Sequence, residues 1–365
     1  MINKKYVDKL CGIMVKNKID GMMLGPSTDL EFLMDYSPQP DERFQALFLL
    51  SDKRYFYISP EITYEEIRDK LDDADIYKWG DHEEFSDIVV AAINNYKLTG
   101  KSIGVNNGIV AINLIDIKEK VDAKFINGHG ILETLRIVKD ESEIEKLRKA
   151  TKLADEVMGE SIDYIHPGIT ERDIKKKIEE LFIQKGADGL SFEPIIASGP
   201  NSSMPHYCED SRVIQEKDII ILDLGCKYKG YCSDTSRTVF VGGITDEEKK
   251  VYDIILRANK AGEETAKQGV KAEDVDKASR DIIKSEGYGQ YFLNRTGHGI
   301  GISVHEAPYM KTGNKQILER GMAFSVEPGI YMQNKFGMRI EDIVVIGADG
   351  PEILNKFTKE MILIK

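Results

Sequence analysis

Four carboxylates and one imidazole in the C-terminal part of the chain carry the chemistry its sequence offers: Asp223, Asp234, His298, Glu327 and Glu341. The two aspartates belong to LDLGCKYKGYCSD (222–234), which reads as two short strands around the turn KYKG. Folded about its midpoint, between Tyr228 and Lys229, this hairpin sets Asp223 directly opposite Asp234. Facing residues on paired strands have Cβ atoms about 4.5–5.5 Å apart, where like charges destabilise. His298 lies between glycines in RTGHGIGISVHEAP (295–308), Glu327 precedes Pro-Gly in GMAFSVEPGIY (321–331), and Glu341 falls in GMRIEDIVVI (337–346). Each stands at the end of, or within, a predicted strand or tight glycine turn. Such a cluster repels itself unless cations lie inside it. Two divalent ions make it favourable, because carboxylate oxygens with one imidazole suit Mn²⁺, Co²⁺ or Zn²⁺. A two-metal centre also needs several carboxylates, some of them bridging both ions.

Taken singly, each residue has a duller role. A strand-end aspartate is commonly a turn or cap residue, Glu341 near Arg339 suits a surface ion pair, and His298 suits a backbone-bonded turn. Glycines flanking a histidine more often let a backbone approach a ligand. The four motif-bearing segments together favour the metal reading.

The elements that must position these residues form two regions. Up to about residue 125, strands at 21–25, 46–51, 54–59, 75–79 and 102–105 alternate with helices at 62–72, 83–96 and 109–120, an α/β unit of its own. A turn-rich joint, INGHGI (126–131), follows. A long helix then starts near Asp140 and stops at His166-Pro167-Gly168. Thr170 with Asp173, and Thr245 with Glu248, open later helices with capping boxes, and Gly186 ends the first of these. GITERDIKKKIEELFIQKG (168–186) aligns without gaps on GVKAEDVDKASRDIIKSEG (269–287), pairing Gly168 with Gly269, Asp173 with Asp274 and Gly186 with Gly287. The echo predicts a duplicated half-domain, with a site between the halves drawing ligands from both.

Composition narrows the classes. A chain of 365 residues suggests two domains, and 41% hydrophobic with 31% charged residues describes an ordinary globular protein. A net charge of -12 without a basic patch argues against nucleic acid. No run approaches the roughly 20 apolar residues of a membrane span. The first 20 residues form a lysine-bearing amphipathic helix pattern rather than a signal peptide, so a cytoplasmic location is expected. Cys11, Cys208, Cys226 and Cys232 form no CxxC pair and are expected to be small buried hydrophobes.

The ordered set DLG, SDTSRT, GHGIGISVHEAP, SVEPGIY and RIED closely resembles the metal-dependent family of methionine aminopeptidases, aminopeptidase P and prolidase, and the resemblance spans the whole chain. It implies an α+β architecture: a C-terminal pita-bread catalytic domain with an internal pseudo-twofold repeat (128–365), preceded by a smaller α/β creatinase-like N-terminal domain (1–127). It implies Asp223, Asp234, His298, Glu327 and Glu341 as ligands of two divalent ions, Mn²⁺ or Co²⁺ foremost and Zn²⁺ compatible. Glu327 is the implied proton shuttle. His206 and His305 resemble the family's substrate-side histidines, which hydrogen-bond the scissile carbonyl and assist the leaving group. Arg339, two positions from Glu341 and so on the same side of a strand, would orient that carboxylate or bind the substrate's carboxylate end. His82, His129 and His166 receive no role.

The implied reaction is hydrolysis of Xaa-Pro bonds in small peptides with proline second, by a homodimeric Xaa-Pro dipeptidase. The alternative is an Xaa-Pro aminopeptidase acting on longer peptides. A metal-free creatinase-like hydrolase or a non-catalytic binding protein of the same fold is more remote, since such relatives lose ligands and all five positions are filled here.

Overall fold

The computed structural model describes residues 2–71 and 74–365. The chain divides into two compact units, Met1–Arg136 and Ile137–Lys365. In the first, strands β1 (Gly21–Leu24), β2 (Ala46–Leu50), β3 (Tyr55–Pro60), β4 (Asp75–Trp79), β5 (Ser102–Val105) and β6 (Lys124–Asn127) form one sheet in the order β4-β3-β2-β1-β5-β6. β1 and β2 are buried at every residue, which is why GMML and ALFLL read as continuous apolar runs without alternation. The helices expected at 62–72, 83–96 and 109–120 are Tyr64–Lys70, Phe85–Asn95 and Ala111–Lys120, while Asp72, and Met1 of the N-terminal helix pattern, lie outside the described residues.

The turn-rich joint expected at 126–131 is instead the end of β6 and the start of a helix, His129–Arg136. Asn127 Oδ1 accepts the His129 N–H at 3.0 Å and opens that helix, whose Leu132 and Leu135 are buried. The first unit therefore runs past the 127/128 boundary to Arg136. Among the described residues no helix is long and apolar enough to cross a membrane.

The second unit has helices Glu141–Tyr164, Glu171–Gln184, Asp246–Thr265 and Ala272–Ser285. Asp140, Thr170 and Thr245 cap the first three with reciprocal bonds from Glu143, Asp173 and Glu248. Gly186 and Gly287 follow the second and fourth at φ 79 and 87, where a Cβ is unfavourable. The sequence echo has a structural counterpart. Gly168, Glu171 and Arg172 donate to the carbonyls of Ile214, Arg212 and Asp210, just as Gly269, Ala272 and Glu273 donate to those of Leu318, Gln316 and Asn314.

Its strands are β7 (Gly189–Leu190), β8 (Ile195–Ser198), β9 (Ile219–Leu224), β10 (Cys226–Tyr228), β11 (Tyr231–Cys232), β12 (Thr235–Val241), β13 (Gly297–Gly299), β14 (Glu306–Met310), β15 (Ala323–Val326), β16 (Gly329–Met332), β17 (Phe336–Arg339), β18 (Asp342–Ile346), β19 (Pro351–Ile353) and β20 (Ile362–Ile364). One sheet runs β8-β9-β12-β20 and another β14-β13-β15-β18-β19. Val157, Ile174, Ile178 and Phe182 pack on the first sheet over Leu222 and Val239. The two sheets meet at a bridge between Ser236 and Glu341. That seam holds the candidate site.

Candidate metal centre

The β9–β12 hairpin corrects the expected register. Tyr228 pairs with Tyr231 and Lys227 with Cys232, so the turn is Lys229-Gly230 and its centre lies one residue beyond the predicted midpoint. Lys229 and Gly230 both have positive φ, 48 and 78, the two-residue hairpin turn whose twist matches its strands. Centring the turn on Tyr228 and Lys229 would instead have forced a tyrosine into that conformation. Asp223 consequently faces Ser236, and Asp234 is its diagonal neighbour on the same side.

The five candidate ligands nevertheless converge. His298 Nδ1 lies 3.1 Å from the Gly299 carbonyl, to which it donates. That bond turns Nε2 towards Asp234 Oδ2 at 3.6 Å and Glu327 Oε1 at 3.2 Å. Asp234, His298 and Glu341 offer ligand atoms within 4.8 Å of one another. The glycines beside His298 serve strand packing rather than ligand approach. A Cβ at Gly297 would overlap the Ser325 carbonyl oxygen, and one at Gly299 the Ala307 carbonyl oxygen.

Arg339 stands behind the carboxylates with every guanidinium nitrogen engaged. Nη2 donates to Asp223 Oδ2 at 2.5 Å, Nε to Ser236 Oγ at 2.8 Å, and Nη1 to Tyr331 OH at 2.7 Å and the Pro205 carbonyl at 3.4 Å. Of the two roles expected for it, the geometry supports orientation. It grips Asp223 directly and reaches Glu341 only through Ser236, whose hydroxyl donates to Glu341 Oε2 at 2.7 Å. It is 4% exposed and lies on the wall of the same cavity as the candidate ligands.

Burial sets the electrostatics. It pushes Asp234 and Glu341 well above the ordinary carboxylate range, and repulsion from neighbouring carboxylates adds to it. Asp223 is also raised by burial, with Arg339 pulling the other way. Burial raises Glu327 too, but the His298 ring, Arg339 and the Ser325 hydroxyl outweigh it and hold this carboxyl below its usual value. Asp223 Oδ1 and Glu341 Oε1 are buried without a hydrogen-bond partner. Buried carboxylate oxygens are costly when unpaired. Orphaned oxygens aimed into a self-repelling cluster fit divalent cations, and the donor set suits hard or borderline ions.

Ser236 and Ser325 were not singled out by motif reading. Each lies two residues from a candidate ligand, Asp234 and Glu327, so strand alternation alone would have placed them beside the site. Ser325 Oγ donates to Glu327 Oε1 at 3.0 Å and accepts the His298 N–H at 3.0 Å. Groups that orient ligands are worth roughly 10- to 100-fold in metal affinity. Ser236→Ala, which frees both Glu341 and Arg339, is expected to weaken metal binding by that factor in calorimetric titration of the stripped protein.

The centre opens on a cavity of about 710 Å³ lined by His206, His305 and Tyr207 among others. The His305 ring lies 4.1 Å from that of His298, centroid to centroid. Burial and the nearby His298 and Arg295 push its imidazole down to about 4, so it is neutral at pH 7. Cys208, expected to be buried, is exposed on this cavity, whereas the other three cysteines are buried.

A hydrolase with a metal-binding pocket at the seam of two repeated halves is the class this geometry defines, and the chain belongs to metallopeptidase family M24, whose model matches residues 145–348. The Creatinase/Prolidase N-terminal domain matches residues 7–138, so the fold is a creatinase-type domain followed by the pita-bread domain. The chain is 33% identical to the Xaa-Pro dipeptidase of Lactobacillus delbrueckii subsp. lactis, over 97% of this chain and 98% of that protein. Recombinant prolidase from Thermococcus sibiricus superposes with a TM-score of 0.96 at 35% identity, covering 100% of both chains. The X-Pro aminopeptidase of Thermotoga maritima superposes with a TM-score of 0.86 at 29% identity, covering 98% of this chain and 99% of that one.

Proposed function

We propose that this protein is a two-metal Xaa-Pro dipeptidase in which Asp223, Asp234, His298, Glu327 and Glu341 hold two divalent ions, manganese or cobalt foremost and zinc compatible. The observation that carries the metal reading is the pair of orphaned buried oxygens, Asp223 Oδ1 and Glu341 Oε1, within a cluster that repels itself. The substrate class rests on the relatives named for Xaa-Pro dipeptides. When bound, the ions supply a hydroxide nucleophile near neutral pH and polarise the scissile carbonyl.

The chain's own residues do the rest. Glu327 Oε1 accepts from the Ser325 hydroxyl, which leaves Oε2 to take the proton of the attacking water and pass it to the proline nitrogen. That nitrogen belongs to a tertiary amide with no N–H, so main-chain pairing cannot recognise it. His206 and the neutral His305, both on the cavity wall, are placed to hydrogen-bond the scissile carbonyl and assist the leaving group. Arg339 and Ser236 fix the carboxylates behind them. A homodimer in the cytoplasm completes this reading, and sedimentation tests the dimer.

The deciding experiment compares Xaa-Pro dipeptides, Xaa-Pro-Yaa tripeptides and non-proline dipeptides, using protein stripped of metal and reloaded with Mn²⁺ or Co²⁺. Metal-dependent cleavage confined to Xaa-Pro dipeptides is expected. Faster tripeptide cleavage would move the protein to the aminopeptidases, as the likeness to the Thermotoga enzyme allows, and equal turnover without metal would end the two-metal reading.

A further inference from the structure

His206 is exposed, and among the described residues no hydrogen bond reaches its ring. A side chain that must meet a scissile carbonyl then has to be placed through its backbone, since a misplacement of about 1 Å can cost on the order of 10²-fold in rate. The backbone on both sides of His206 is tied down. Before it, the tight helical turn Gly199–Ser203 follows β8, and Ser202 Oγ accepts the Gly337 N–H of β17 at 2.9 Å. After it, Tyr207 is buried and its hydroxyl donates to Glu171 Oε2 at 3.0 Å.

Glu171 opens the helix Glu171–Gln184 and is fully buried. Its Oε1 accepts the Ser198 N–H at 2.8 Å, the Ser198 hydroxyl at 2.7 Å and the Asn201 amide at 3.1 Å. Asn201 Nδ2 also donates to the Tyr207 hydroxyl at 2.8 Å. One carboxylate therefore fastens the 198–207 segment at its entry, Ser198, and at its exit, Tyr207. Burial and that carboxylate raise the Tyr207 hydroxyl above its usual range, so it stays a donor.

The repeat itself does not call for an acid at this position. In the echo that pairs Gly168 with Gly269, Glu171 falls on Ala272. Both residues are fully buried, and each donates its backbone N–H to a facing carbonyl, at Arg212 and Gln316. The second half closes the same turn with a methyl group among apolar neighbours. A buried carboxylate is costly unless its oxygens are bonded, so the asymmetry points to what Glu171 alone holds: the segment that carries His206.

We infer that Glu171, acting through the Tyr207 hydroxyl, positions His206 for the scissile carbonyl. The inference rests on the Xaa-Pro dipeptidase reading. Tyr207 lines the cavity and Glu171 does not, which makes the acid a positioning residue.

The test uses the metal-loaded enzyme with Ala-Pro. Tyr207→Phe and Glu171→Ala should each lower kcat by roughly 10- to 100-fold, with KM and metal content within about twofold of wild type. Glu171→Gln, whose amide can accept from Ser198 and donate to Tyr207, should recover part of the loss. In a His206→Ala background Tyr207→Phe and Glu171→Ala should cost nothing further, because residues acting as one unit are not additive. A purely structural role would instead lower kcat by the same factor with and without His206. Should Glu171→Ala fail to fold, Tyr207→Phe, which keeps the ring, decides alone. An unchanged kcat in Tyr207→Phe, or a loss that persists in His206→Ala, would overturn the assignment while leaving the dipeptidase reading intact. A wild-type enzyme that cleaves no Xaa-Pro peptide would remove that reading and the assignment with it.

Discussion

Stripped of metal, Asp234→Asn and Glu341→Gln should melt at higher temperature than stripped wild type, yet hydrolyse Xaa-Pro dipeptides at least about 10³-fold more slowly once metal is returned. Both effects come from one cause. In the metal-free fold these two carboxyls are raised well above their usual range by burial and by the acids beside them. Replacing one with its neutral amide removes that repulsion, and each kcal/mol relieved raises the midpoint by about 2–4 °C. With metal present the same change deletes a ligand, and the several kcal/mol of transition-state stabilisation that depends on it is lost. The pH dependence has a definite sign. Because the folded carboxyls hold protons that the unfolded chain has released, the stability of the stripped wild type falls as pH rises above the ordinary carboxylate range, about 4. The amide variants should show a shallower fall. Metal binding should also release protons, visible as a dependence of the titration heat on buffer ionisation enthalpy. A stripped variant no more stable than stripped wild type would contradict this account of the cluster.

Arg237→Ala should be the most destabilising single change near the seam, by about 3–5 kcal/mol. Arg237 is 1% exposed and uses all five N–H donors. Nε donates to the Thr358 carbonyl at 2.8 Å, and Nη1 to the carbonyls of Ser236 at 2.9 Å and Glu341 at 2.7 Å. Nη2 donates to Asp342 Oδ1 at 2.7 Å and the Phe357 carbonyl at 2.9 Å. Truncation leaves buried carbonyls unpaired and takes one of the two cations from Asp342, whose other carboxylate oxygen lies 2.6 Å from Lys359. Lysine, with three donors in a different geometry, should recover only part of the loss. Chemical denaturation of the metal-free protein reads the stability directly. Metal affinity should fall as well, since the Glu341 backbone is one of the groups released.

Much of the candidate site is legible in residue order because its proposed ligands sit in segments that must also be strands. Glu327 and Glu341 flank β15 and β18, and His298 lies within β13, all of which alternation or flanking glycines announce. The echo between 168–186 and 269–287 was legible for a similar reason: caps and helix-ending glycines are local chemistry. What escaped was long-range. The hairpin register turned on which residues accept positive φ, a choice decided by strand twist rather than by the positions of the aspartates. Nothing in the sequence singles out Arg237 or Arg295. One is sealed by carbonyls from the chain's last turns, and the other is seated on a ring fourteen residues downstream, at position 309. Neither neighbour has a spacing that a sequence pattern could reveal.

The duplicated halves have a further consequence during synthesis. Asp223 and Asp234 emerge from the ribosome within the first half, while His298, Glu327 and Glu341 follow only with the second. On the proposed ligand set, a nascent chain halted between them carries two of the five ligands and lacks His298, so metal capture waits until nearly the whole polypeptide is made. On that proposal, loading with metal is a late checkpoint on assembly, open only to a chain that has brought both halves together.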